Sequence, residues 1–228
     1  MQGRVDITRT FDGAELNTEY VFGLFSDPSL VGFVGIPVAY EIRQFAASEN
    51  IVSASTIVTY NDTTFGIQFP VTIDTFMTWD TTTKQITQYD ATFKWFGFLL
   101  DTLITEAALW INATSHDQAI EFLAKTYATS LCDRHANYCH DKNQQYTDST
   151  SCHDFVTKQI RFGQAFELGG NTLLCRMVHV GMIKFRPDVH CSHIGPSGGG
   201  MCVDNLSYMD VVTRKYFTNS PFIPQIQE

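Results

Sequence analysis

Apolar and polar residues alternate most regularly over Gly66–Trp79, where Ile67, Phe69, Val71, Ile73, Met77 and Trp79 share one face and Gln68, Thr72, Asp74 and Thr78 the other. A period of two predicts a half-buried strand. Gln85–Trp95 repeats the pattern with Tyr89, Ala91, Phe93 and Trp95 against Gln88, Asp90, Thr92 and Lys94. The Asp80–Lys84 turn between them predicts a hairpin. Pairing 79 with 85 puts both apolar sets on one side. Upstream, Ile36–Ala46 carries Ile36, Val38, Tyr40 and Ile42 on one face, and Ile51–Tyr60 is rich in β-branched residues with Asn61 and Asp62 as its turn.

Helical spacing marks the flanks. Ala14–Phe25 places Leu16, Tyr20, Val21 and Leu24 on one stripe, ended by Ser26, Asp27 and Pro28. Ser115 and Gln118 have the form of a capping box, and Ile120, Leu123, Ala124, Tyr127, Ala128 and Leu131 follow as a helical stripe. Further helices are predicted near Asp154–Arg161 and over Thr172–Phe185, the latter stopped by Pro187. The tail after Val212, with Pro221 and Pro224, reads as extended. The expected fold is α+β, a curved antiparallel sheet with packing helices followed by a disulfide-rich helical extension. Its divisions are a sheet domain over 1–114 and a Cys/His-rich region over 115–228.

The strand run "VTIDTFMTWDTTTKQITQYDATFKWF", with its apolar strand, turn and Lys-x-Ile-x-x-Tyr, resembles the SnoaL-like (nuclear-transport-factor-two-like) cone fold over about residues 12–100. That resemblance implies a concave apolar face, closed by helices, that takes a small hydrophobic molecule. Lyases, isomerases and non-catalytic binding modules all occur on such folds, so fold alone does not give function. Phe69, Ile73, Met77, Trp79, Tyr89, Phe93 and Trp95 would line the pocket; the same residues would equally make an ordinary core. The Cys/His-rich half is similar in texture to uncharacterised secreted fungal proteins.

Composition changes the picture mainly in this second half. All six cysteines, Cys132, Cys139, Cys152, Cys175, Cys191 and Cys202, lie beyond residue 131. Their number is even and no close C-x2-4-C pair occurs, which favours a disulfide framework over a zinc ribbon. Cys191 and Cys202, flanking a Gly-rich loop, are the expected local pair. Sequons at Asn61, Asn112 and Asn205 match the glycosylation pattern. Together they predict a secreted, extracellular glycoprotein. No signal peptide opens the chain, and Met1 reads as an expression addition.

The net charge of −9 lies wholly in residues 1–130, where 6 Lys and Arg face 15 Asp and Glu; residues 131–228 carry 9 of each. This excludes attraction to nucleic acid or anionic membrane, and no apolar run is long enough to span a bilayer. Oligomeric state has no signature in the sequence. Six of the seven histidines fall between 135 and 193, which predicts a half that turns cationic in acid.

Two constellations carry candidate chemistry. With 79 opposite 85, Asp74 faces Asp90, a carboxylate pair suited to acid–base work if desolvated, with Arg43 or Lys94 as neutralising partners. In Cys175–Cys202, Arg176, His179, Ile183 and Arg186 share a helical face, and His190 and His193 follow closely. His179, His190 and His193 would hold zinc or copper if they converge, with Arg176 beside them as the catalytic candidate. Alternatively, Arg176, Arg186 and the Gly-rich loop would hold an anion. His135 and His140 could join the cluster. The bland alternative is a set of hydrogen-bonded core histidines. Whether the chain is an enzyme, and whether it uses a metal at all, stays open at this level.

Overall fold

The computed structural model describes residues 1–25, 27, 35–213 and 217–218. Ser26, Pro28, Pro221 and Pro224, cited above as helix stop and tail signals, lie outside the described residues. The fold is mixed α+β: a six-stranded sheet with packing helices, and three disulfides in the helical C-terminal half.

The meander comprises β3 (Ile36–Ser48), β4 (Ile51–Asp62), β5 (Ile67–Trp79) and β6 (Ile86–Phe93), each pairing antiparallel with the next. Two strands without a readable period precede it. β1 (Gln2–Val5) runs parallel to β6, and β2 (Thr10–Asp12) pairs antiparallel with β1, giving the order β2-β1-β6-β5-β4-β3. At four and three residues they are too short for alternation to show, so tertiary pairing defines them.

The β5–β6 register differs from the expected one by two residues in the strand bodies. Asp80 caps the turn through its Oδ1, which accepts from the Thr82 and Thr83 amides, and Trp79 pairs with Ile86 rather than Gln85. A bulge at Thr87 adds the second residue, so Thr78 meets Gln88 and Asp74 meets Thr92. A two-residue shift preserves side-chain parity, and Ile73, Met77, Tyr89 and Phe93 still share a face. It dissolves the carboxylate pair. Asp74 binds Lys94 at 2.7 Å and Asp90 takes a bidentate contact from Arg4, both bonds 2.6 Å. The Lys94 contact holds the Asp74 carboxyl below the usual range.

Seven helices complete the described chain. α1 (Ala14–Phe22) continues into a short 3-10 turn, Gly23–Phe25. It lies on β1, where a Cβ at Gly3 would fall 2.0 Å from Asn17 Oδ1 and 2.3 Å from the Tyr89 ring, so only glycine fits. α2 (Phe96–Trp110), unforeseen as a separate element, has two apolar faces. Leu99 and Leu103 pack on the sheet beside Phe69 and Val71, while Leu100, Ile104 and Ala107 join the main core. α3 (His116–Tyr138) begins at Ser115, whose Oγ accepts from the Gln118 amide; Gln118 turns back to Thr114 rather than closing the box on Ser115.

The helix expected near 154–161 starts earlier, as α4 (Ser149–Asp154) capped by Asp148, and passes into a π turn over Phe155–Gln159. The single helix expected over 172–185 is two. α5 (Leu173–Val180) ends at Gly181, and Pro187 opens α6 (Pro187–Ile194) from its first turn. Proline at that position gives up only an amide that would be unpaired anyway. α7 (Tyr208–Thr213) follows.

The disulfides are Cys132–Cys152, Cys139–Cys191 and Cys175–Cys202. The expected Cys191–Cys202 pair is therefore corrected. The 3-10 turn Gly198–Gly200 folds against α6, and Cys202 is directed to the start of α5 instead. No helix of the described residues is long and apolar enough to cross a membrane.

Candidate metal centre

Three elements meet where α1, α5 and α6 touch. α5 is buried at all eight positions, Arg176 and His179 included. α6 buries His190, Cys191 and His193. Two of the three disulfides anchor these helices directly: Cys175 lies one turn before His179, and Cys191 stands between the histidines of α6. The Gly-rich loop closes over them. At Gly199, with φ +54°, a Cβ would lie 2.6 Å from His193 Cδ2, so backbone replaces a side chain against the imidazole.

The imidazoles converge. One ring nitrogen from each of His179, His190 and His193 lies within 4.8 Å of the others. His193 Nδ1 and His179 Nδ1 are 3.1 Å apart, and Tyr20 Oη is 3.2 Å from the same His179 nitrogen. Two neutral rings can share such a contact only if one Nδ1 carries a proton and the other offers its lone pair. A cation between them would take both lone pairs. For tetrahedral zinc at about 2.0–2.1 Å, ligand nitrogens stand roughly 3.3 Å apart.

His190 is oriented from outside the cluster. Its Nε2 lies 3.1 Å from Glu19 Oε2, while Glu19 Oε1 takes Arg186 at 3.0 Å. Donation from Nε2–H to the carboxylate leaves Nδ1 as the lone-pair nitrogen, and that atom is buried without a hydrogen-bond partner among the described residues. A carboxylate behind a ligating imidazole is the usual second contact of a metal-bound histidine.

Burial also sets the protonation state. Desolvation first, then the neighbouring imidazoles, hold His179 well below the usual histidine range; the same causes bring His193 to about 4. Desolvation lowers His190 despite the opposing pull of Glu19. At neutral pH all three rings offer lone pairs. Burial thus opposes protonation of these three rings in mild acid.

The other expected members stay apart. Arg176 donates to Thr172 O at 3.0 Å, Asn171 Oδ1 at 2.9 Å and Gly195 O at 3.1 Å, tying α5 to the end of α6. Arg186 is engaged by Glu15 and Glu19, so the two arginines do not share an anion site. His135 accepts from the Gln145 amide, and exposed His140 contacts Asn137 O. A second convergent group, Cys175, His179 and Cys202, has its sulfurs in a disulfide and offers no thiolate.

On the sheet, Phe69, Ile73 and Phe93 pack with Leu99 and Leu103 in a small core, while Trp95 starts α2 at φ +55° with 73% of its surface exposed. Met77, Trp79 and Tyr89 lie further along the meander. A cleft of about 700 Å³ lies elsewhere, against β1 and the 203–211 segment, and none of these seven residues lines it. A narrow gap lined by Tyr20 and His179 shares Thr8, Arg9 and Gly169 with that cleft. Sequence reasoning missed Glu19 and Tyr20; the Leu16–Tyr20 stripe marked Tyr20 as core, and nothing local marked Glu19.

An α+β chain with a disulfide-framed histidine centre defines a class that known sequences sharpen. Residues 1–91 match the BfoA N-terminal domain, and residues 95–205 match the BfoA family C-terminal domain. The chain belongs to this family. It is 55% identical over 221 residues to the Bifonsecin B biosynthesis cluster protein A of Aspergillus brasiliensis, covering 96% of this chain and 74% of that protein. The same identity and length relate it to the Aurasperone B biosynthesis cluster protein A of Aspergillus niger, with 96% and 72% covered. The relatives are thus fungal biosynthesis-cluster proteins, and the SnoaL-like likeness rests on the strand pattern alone.

Proposed function

We propose that this is a secreted protein of fungal small-molecule biosynthesis whose working centre is a transition-metal ion, zinc or copper, held by His179, His190 and His193. The observation that carries the reading is the inward convergence of three neutral, buried imidazoles, one of them backed by Glu19. Tyr20 Oη, 3.2 Å from His179 Nδ1, places a phenol oxygen beside the cluster. The small-molecule role comes from the relatives, which are named for the biosynthesis of bifonsecin B and aurasperone B. Secretion is supported by three disulfides that a reducing cytosol would not maintain, and by sequons at exposed Asn112 and Asn205; Asn61 is half-buried in β4 and the weaker acceptor.

The geometry favours this centre over the expected apolar pocket on the sheet, because Phe69, Ile73 and Phe93 fill their space with α2 side chains. Calorimetric titration of metal-free, disulfide-intact protein with Zn(II) and with Cu(II) tests the reading. One ion per chain is expected. Glu19→Gln keeps the shape and should weaken binding roughly 10–100-fold, and His193→Ala should weaken it at least as much. Absence of stoichiometric binding of either ion would reduce the cluster to hydrogen-bonded core histidines.

A further inference from the structure

The cleft beside the histidine centre has two lips. One is the 161–170 segment, and the other is the 203–211 segment that begins directly after the Cys175–Cys202 disulfide. Arg161 joins them, binding Glu167 at 2.8 Å on its own lip and Asp204 at 2.9 Å on the other. Arg9 fixes the floor by donating to the carbonyls of Gly169, Met201 and Val203 and to Asn205 Oδ1. The cleft is therefore braced, and at about 700 Å³ it falls within the range of sites for drug-sized molecules.

Its chemistry is specific in three respects. Each lip presents one largely exposed aromatic ring, Phe166 at 75% and Tyr208 at 77%. Rings left in water along the lining of one cleft are surface that a flat ligand would cover. Its charged lining is balanced: Arg4, Arg9 and Arg161 stand against Asp6, Glu167 and Asp204, three against three. Arg4 is further committed to Asp90 and Arg161 to its two carboxylates, which disfavours an anionic ligand. Finally, Asp6 lines the wall at the β1 end. Its Oδ1 accepts from the Phe93 amide at 3.1 Å, which leaves acceptor capacity on a half-buried carboxyl.

We propose that this cleft binds a neutral, flat, hydroxylated aromatic molecule, stacked on Phe166 and Tyr208 with a hydroxyl donated to Asp6. Its identification as the small molecule served by the metal centre rests on the function proposed above; the binding itself does not. The gap through Thr8, Arg9 and Gly169 towards Tyr20 and His179 makes the two sites neighbours.

The probe is 2-naphthol, titrated into metal-free protein by calorimetry, with 2-methoxynaphthalene and naphthalene-2-sulfonate as comparators. One-to-one binding of 2-naphthol is expected. Loss of the hydroxyl donor in the methyl ether should weaken it roughly tenfold, and the sulfonate should bind more weakly still. Phe166→Ala and Tyr208→Ala should each weaken binding by roughly three- to tenfold, whereas Tyr208→Phe should retain it. Both rings are exposed, so unchanged thermal melts are expected to accompany these losses. No saturable binding, indifference to both ring deletions, or preference for the sulfonate would overturn the proposal. Because metal is absent throughout, failure here leaves the histidine reading standing, and failure of metal binding leaves this result standing.

Discussion

The two halves of the chain handle burial in opposite ways. Beyond Ile36, every residue of β3 is exposed, including Tyr40, Ile42 and Phe45, and that half contains no cysteine. In the helical half α5 is buried throughout, Cys132–Cys152 and Cys139–Cys191 lie within the main core, and Cys175–Cys202 is buried beside it. The sheet's long-range hydrogen bonding positions its strands without covalent help. Packing three imidazoles and a guanidinium into an apolar interior is costly unless each is held at its partner. The disulfides Cys139–Cys191 and Cys175–Cys202 lie on the two helices that bury Arg176, His179, His190 and His193.

This contrast can be broken experimentally, most strongly at a disulfide. Replacing Cys139 and Cys191 by Ser opens a link spanning 52 residues, and should cost about 4 kcal/mol on the chain-entropy model. Denaturant unfolding would show the loss, and metal binding should go with it, because His190 and His193 flank Cys191. If metal affinity survived, the disulfide would not be what holds the centre.

Next in size is Arg176→Met. Removing the guanidinium leaves three acceptors, Thr172 O, Asn171 Oδ1 and Gly195 O, without their donor and should cost about 3 kcal/mol. Arg176→Lys should recover only part of it, since an ammonium cannot reproduce the planar fork. A catalytic Arg176 would instead lose activity with little change in stability.

The pH dependence is expected to be smaller at any one step but has a definite sign. His193 falls from the ordinary 6.5 to about 4 on folding, with His179 and His190 shifted the same way. Between those values the unfolded chain binds protons that the folded one refuses, so stability is intact above about 6.5 and declines as pH falls towards 4. Thermal melts across pH 7 to 4 measure it. A melting temperature rising into acid would contradict the burial argument. The smallest effect belongs to the sheet: Lys94→Ala breaks an exposed pair with Asp74 and should change stability by less than about 1 kcal/mol.

Much of this contrast was legible in the sequence. The four long strands follow from alternation, and the even cysteine count beyond residue 131 implies the disulfide framework. His179, His190 and His193 were legible as a group because they lie within 15 residues of one another. Pairing was not. A turn one residue longer and a bulge at Thr87, neither with a local signature, separated Asp74 from Asp90. Cys191 joins Cys139 across 52 residues, a contact set by packing against α3 rather than by spacing. Glu19 and Tyr20 come to the histidines from more than 150 positions away. The cleft draws on both ends of the chain, so no single segment announces it.

X-ray absorption at the metal edge, on protein carrying one equivalent of zinc or copper, reads the ligands of the His179–His190–His193 centre directly. The account predicts three imidazole nitrogens at about 2.0 Å, with altered multiple scattering in His190→Ala. A shell of oxygen alone, or sulfur at about 2.3 Å, would contradict it.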